Sequence, residues 1–262
     1  MFLSRESIKK DEILRNIKDS FLKNALVLLS FLFCIQNANA ITENVYSGLS
    51  DSTIRQYRQS TKDIRLIQAA ETLKGTLGDY SRRAILGENL TGKPIKVEFK
   101  NLAELNPAYA EFDALGWKQR NGRLNIFINI KHQNAPKEAI AAVLAHEAIH
   151  QDELNSLNEE TYCWTLEAAV WTQLTDDNPE LENILNALVD RENTIKKLFV
   201  KGDYTKKYIR KSVISNAGYQ NLPSRSPGFE DDDSNDYVNG RPLPNFNQTP
   251  DEFNSKPQPP NL

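Results

Sequence analysis

Residues 143–164 read VLAHEAIHQDELNSLNEETYCW. The stretch holds two of the chain's three histidines, His146 and His150, with Glu147 directly after the first. On a helix, residues four apart lie on one face, one turn above the other. Two imidazoles so placed reach a single metal ion. Zinc suits them, because it is borderline-soft and takes nitrogen ligands in a tetrahedral shell. Glu147 sits one step round the helix, where it reaches a metal-bound water without taking a coordination position. It is the candidate general base.

Before the motif, Ala139, Ile140, Val143, Leu144, Ala145 and Ile149 make the segment apolar nearly all round. That pattern predicts a buried helix that starts at Pro136, a residue suited to a first turn, and carries both histidines. After the motif, Ser156-Leu157-Asn158-Glu159 is a capping box. It predicts a second helix from Leu157 to about Leu174, with Ser156 as cap and Glu159 folding back to the Ser156 backbone N–H. Glu160 shares a face with Leu157, Trp164, Ala168 and Trp171, the stripe that points inward against the histidine helix. Glu160 is therefore favoured over Glu159 as the third metal ligand. A metzincin would carry Gly at position 153 and His at position 156, and this chain has Glu153 and Ser156. Glu167 is a candidate either to accept an N–H from a ligating histidine or to face solvent.

These residues resemble the gluzincin clan of zinc metallopeptidases, in which H-E-x-x-H on one helix is completed by a Glu on the next. Glu160-Thr161-Tyr162-Cys163-Trp164 fits the clan's second-helix pattern with Cys163 in the small-residue place, and departs from it at Trp164, where Asp or Asn is frequent. The resemblance implies an α+β, zincin-like fold: a small twisted sheet with a hairpin, the active-site helix, then a helical C-terminal part. It implies one zinc ion per chain held by His146, His150 and Glu160, and hydrolysis of peptide bonds in a peptide or protein substrate with Glu147 as general base. A donor to the tetrahedral oxyanion is expected, and Tyr204, Tyr208, Tyr219 and Arg210 are the candidates. His132 reads as a surface-loop histidine. The competing reading is a non-catalytic metal-binding or interaction module on the same scaffold.

Elsewhere the periodicity changes with the elements. Residues 51–86 carry helical spacing, interrupted by Gly75 and Gly78. Ile95 to Phe99 alternates as a half-buried strand does. Asn121-Gly122 predicts a hairpin with a two-residue primed turn. Residues 123–130 are apolar on both faces, which places them well inside the sheet, and they are also expected to border the cleft as the strand that receives extended substrate. Later helices are expected at about 178–199 and 204–214.

The ends differ from this middle. Residues 25–35, ALVLLSFLFCI, follow a flank with six cations against four acids and precede Ala38-Asn39-Ala40. A charged flank, a short apolar core and a small-residue exit describe a secretory signal peptide over residues 1–40, with an uncleaved anchor as the alternative. The expected mature protein is secreted or periplasmic, with no stable membrane insertion. The metallopeptidase domain spans 41–222. Residues 223–262, rich in Pro, Asn and Asp, predict a disordered tail. Only Cys34 and Cys163 are present, so no disulfide framework is expected. A formal net charge of −3 without a run of Lys and Arg argues against nucleic acid as a partner.

Overall fold

The computed structural model describes residues 48–231 and 236–246. The expected signal segment, Cys34 and the last stretch of the tail lie outside the described residues. The described chain is mixed α+β, with seven α-helices and two three-stranded sheets. No helix among these residues is long and apolar enough to cross a membrane.

The helical region at the start divides into three short helices, α1 (Asp51–Tyr57), α2 (Ile64–Thr72) and α3 (Asp79–Leu86). Ser50 and Asp63 cap the first two, each side chain accepting a backbone N–H of the first turn. The break before α3 falls where the sequence places its two glycines, and Gly75 takes a positive φ there.

The first sheet contains β1 (Lys96–Lys100), β2 (Ala114–Lys118) and β3 (Leu124–Asn129), in the order β1-β3-β2. β3 lies in the centre with all six residues buried, parallel to β1 and antiparallel to β2. Its double-sided apolar sequence is the reason: only a central strand covered on both faces hides both sets of side chains. The same placement corrects the expectation that 123–130 borders the cleft. Of the two edge strands, β1 and β2, it is β2 that lines the cleft beside the histidines. The hairpin between them also differs from the expected two-residue turn. Gln119 N–H donates to Arg123 O at 2.8 Å, and Gly122 N–H to Gln119 O at 2.7 Å. Gly122 is at φ +80°, whereas Asn121 is not in the positive region. This is a three-residue loop, a turn followed by a left-handed glycine.

Helix α4 (Lys137–Glu147) is buried along its length from Ala139 and packs against α2, α3 and the long helix α5 (Leu157–Asp177), with β2 on a further side. Helices α6 (Ala187–Lys201) and α7 (Lys207–Ser215) cover α5 from outside. α6 begins later than the Asn178-Pro179 signal suggested. Pro179–Asn183 forms a 3-10 turn, and Asn186 caps a fresh helix by accepting Leu188 N–H.

The C-terminal expectation needs the largest correction. Within residues 223–246, three short strands pair antiparallel as a second sheet: β4 (Phe229–Asp231), β5 (Asp236–Val238) and β6 (Arg241–Pro242). Phe229, Val238 and Leu243 are buried. Tyr162 of α5 stacks near Phe229 and Phe246 and donates its hydroxyl to Pro244 O. A composition average hides such a segment, because three or four well-spaced apolar anchors suffice when a neighbouring helix offers a face to dock on.

Candidate metal and catalytic site

Helix α4 stops inside the motif rather than after it. Glu147 is its last residue, Ala148 is the cap, and Ile149 N–H donates to His146 O in a tighter turn. His150 therefore leaves the helix, contrary to the expectation that one helix carries both histidines. Two packing features account for the break. The Gln151 amide donates to Ala148 O while its oxygen receives Leu90 N–H. The β2 backbone at Gly116 presses on Glu147, where a Cβ would meet Glu147 O at 2.9 Å and His150 Cβ at 3.0 Å. The glycine is what lets the edge strand approach this closely.

The two imidazoles are still held together, with ring centroids 5.3 Å apart. Each is fixed through Nδ1 by a carboxylate of α5. His146 Nδ1 lies 2.9 Å from Glu167 Oε2, and His150 Nδ1 lies 3.0 Å from Glu159 Oε1. Such pairing sets the ring tautomer and leaves Nε2 to face the other buried groups, Cys163 among them at His150. Both Nε2 atoms face Glu160, His146 at 3.7 Å from Oε2 and His150 at 3.6 Å from Oε1. Glu160 Oε2 is buried with no hydrogen-bond partner, while Asn155 donates to Oε1. A buried orphan carboxylate oxygen between two imidazoles is costly unless a cation completes it. Ligands at ~2.0–2.2 Å in a tetrahedron sit roughly 3.4 Å from one another, close to the separations here. Donors of this kind could hold a metal ion.

A second grouping overlaps this one. Donor atoms of His146, His150 and Cys163 lie within 4.8 Å of one another, and this buried trio could hold a metal. Cys163 is one turn after Glu160 on α5 and fully buried. Glu160 offers an alternative third donor, through two different oxygens that lie 3.7 Å from His146 Nε2 and 3.6 Å from His150 Nε2. Burial pushes the Cys163 thiol up to about 12 despite the opposing pull of His150.

The surrounding charges form one network. Burial raises the pKa of Glu147, and Glu160 and Glu167 add to this, against the pull of His146 and His150. Glu147 Oε2 accepts Gly116 N–H at 2.5 Å. Glu167 is held at about 2, its burial overcome by Arg191 and His146. Arg191 reaches Glu167 at 2.5 Å, Glu192 at 2.7 Å and Asp113 at 3.1 Å. The buried Glu192 carboxyl is pushed well up, first by burial and then by the neighbouring Glu167 charge.

Several sequence expectations change here. Glu159 does not close a capping box. Its N–H bonds Ser156 Oγ at 3.2 Å as expected, but its carboxylate turns to His150 and to Ser226 Oγ at 3.1 Å. The Ser156 N–H goes to Asn155 Oδ1 instead. Glu167 faces inward, as the carboxylate on His146. His132 is buried, not on a surface loop, and its Nε2 lies 2.6 Å from Asp113. Among the oxyanion candidates, Tyr219 alone lines the cleft with His146, Glu147, His150 and Glu160. Its hydroxyl accepts Trp164 Nε1–H at 3.1 Å, and burial together with Glu160 pushes its pKa up. Tyr204 is half exposed against Phe199, Tyr208 lies among Lys201, Lys207 and Lys211, and Arg210 donates to Asn158.

No family model matches this chain, and neither a curated protein nor a solved structure does.

Proposed function

We propose that the chain is a zinc-dependent peptidase with a zincin-like arrangement, in which His146, His150 and Glu160 hold one zinc ion and Glu147 is the general base. The observation that carries this reading is the buried Glu160 carboxylate, with an unpartnered oxygen, facing two imidazoles whose other nitrogens are already fixed. When bound, the ion supplies Lewis-acid polarisation of a carbonyl and acidification of a water. The chain's own residues do the rest. Glu147 takes a proton from the attacking water and returns it to the leaving amine, a task that its raised pKa suits at neutral pH. Tyr219 donates its hydroxyl to the developing oxyanion, held in place by Trp164. Edge strand β2 offers the outward backbone groups of Ala114 and Lys118 to an extended peptide. The A-x-A exit at 38–40 supports a secreted or periplasmic setting, and N-terminal sequencing of the exported protein checks it.

The test is Glu147→Gln. Casein or a peptide library is incubated with wild type and variant, with and without a chelator. The expected result is chelator-sensitive cleavage by wild type, none by the variant, and equal zinc content in both. Undiminished cleavage by Glu147→Gln, or a purified protein that takes up no zinc, refutes the proposal.

Cys163 favours one second reading, a closed and non-catalytic metal site. Four protein ligands would leave no open position, as in structural zinc sites. Cobalt substitution separates the two: a thiolate ligand gives an intense sulfur-to-metal charge-transfer band that Cys163→Ser abolishes, and the catalytic reading expects no such band.

A further inference from the structure

The sequence has no run of lysines and arginines, but the fold builds a basic cluster from separate segments. Arg58 and Lys62 follow α1, Lys93 and Lys96 bracket the start of β1, and Arg123 closes the hairpin loop. They line two adjoining depressions at the hairpin end of the first sheet. The larger is about 640 Å³ and is walled by Arg58, Lys93, Lys96 and Arg123. Its neighbour, about 570 Å³, is lined by Arg58, Lys62, Lys96 and Arg123. Three cations are common to both, so the depressions form one trough. None of the metal-site residues lines it.

The charge in the trough is unbalanced. Arg58, Lys62, Lys93 and Arg123 are exposed, and none forms an ion pair among the described residues. Lys96 donates to the Gln59 carbonyl, not to an acid. The larger depression has no carboxylate in its walls. The smaller has Asp63, already bound to Arg65 at 2.5 Å, and Glu98. Four cations gathered in one concavity on a chain of net charge −3 focus a positive potential there. Gln59, Thr91 and Asn121 add neutral polar groups between them.

We propose that this trough binds a ligand bearing several phosphoryl groups. Two arginine forks match phosphate geometry bidentately, and lysines supply point charges around them. A phosphoryl group carries about −1.5 to −2 charge at neutral pH, which matches this density of cations better than single carboxylates do. The volume admits several such groups. A surface dense in anionic headgroups, each a phosphodiester with a single charge, and a soluble phosphate chain both present several phosphoryl groups side by side. The inference does not rest on the zinc reading.

The full chain is titrated with sodium tripolyphosphate by calorimetry at low and high salt. It is also sedimented with vesicles of phosphatidylcholine alone or mixed with phosphatidylglycerol. We expect tripolyphosphate binding that weakens with salt, and that weakens by about tenfold or more in Arg58→Gln/Arg123→Gln because two charge-assisted contacts are lost. Both side chains are exposed, so the variant's melting temperature should match wild type, and Arg58→Lys/Arg123→Lys should fall between. Retention on phosphatidylglycerol vesicles that tripolyphosphate displaces supports the proposal with the headgroup as source. Tripolyphosphate binding without vesicle retention supports it with a soluble source. No binding at low salt, binding unchanged in the double glutamine variant, or equal affinity for poly-glutamate overturns it.

Discussion

Gly116→Ala tests whether β2 really presses on the histidine motif. Gly116 does not have a positive φ, so its backbone accepts alanine without strain. On that ground alone the substitution should stabilise the fold by about 0.4–1 kcal/mol, through lost freedom in the unfolded chain. The contacts reverse the sign. An added Cβ would stand 2.9 Å from Glu147 O, 3.0 Å from His150 Cβ and 3.2 Å from Glu147 Oε2, whereas ordinary contacts fall at 3.4–4 Å. The strand must retreat by about half an ångström, and forcing an extra carbon into a packed site costs roughly 1–3 kcal/mol. Set against that gain the net cost is up to about 2.6 kcal/mol, and at about 2–4 °C per kcal/mol the melting temperature is expected to fall by up to roughly 10 °C. Since His150 is one of the groups displaced, zinc affinity should fall by about tenfold or more as well. Thermal melts of metal-free protein read the first effect, and a competitive zinc titration reads the second. A melting temperature that rises refutes the close approach, and with it the explanation for the end of α4.

Tyr219→Phe removes the only cleft hydroxyl assigned to the oxyanion. It should lower kcat by about 10²–10³ with little change in KM, as loss of one oxyanion donor does; steady-state kinetics on a peptide substrate checks it. The pH dependence of stability follows from depressed carboxylates. Burial alone would raise Asp113, but His132, Arg191 and Lys131 hold it at about 2 against an ordinary 3.8. A group depressed in this way contributes stability above its unfolded value and loses it as pH falls towards its folded one. The difference corresponds to about 2 kcal/mol. Urea melts should therefore show wild type losing more stability than Asp113→Asn between about pH 5 and pH 2. Parallel curves for the two proteins would count against the Asp113 ion pairs.

The sequence made the central helices legible because their cues are local. An apolar segment with His146, Glu147 and His150 marked α4, and Ser156 marked the start of α5 to the residue. The two-sided apolar pattern of 124–129 identified a central strand. What stayed hidden depends on partners distant in the chain. Nothing near Glu167 announces that Arg191, 24 residues on, will hold it ionised against His146. Nothing near His132 announces Asp113, and without that partner a polar residue after a strand reads as surface. The capping-box pattern misled because Glu159 had a stronger demand on it, an imidazole in a buried site, than a backbone N–H that Asn155 could satisfy. Tyr219 is one of nine tyrosines, and its place in the cleft beside Trp164, not its local sequence, separates it from the other oxyanion candidates.

The C-terminal segment has a consequence for when the site comes into being. Pro223 and Ser224 carbonyls receive the first N–H groups of α5, Leu157 at 2.9 Å and Asn158 at 3.2 Å. Ser226 holds the second oxygen of Glu159, 67 residues earlier in the chain. A growing polypeptide thus has both histidines, Glu160 and Glu167 before it has the groups that receive the first N–H groups of α5 and hold the second oxygen of Glu159. The start of α5 and the Glu159 carboxylate behind His150 therefore settle only once residues 223–226 dock, and a proteolytic nick near residue 222 is expected to loosen both. The order of the candidate site therefore depends on one short segment far along the chain from its two histidines.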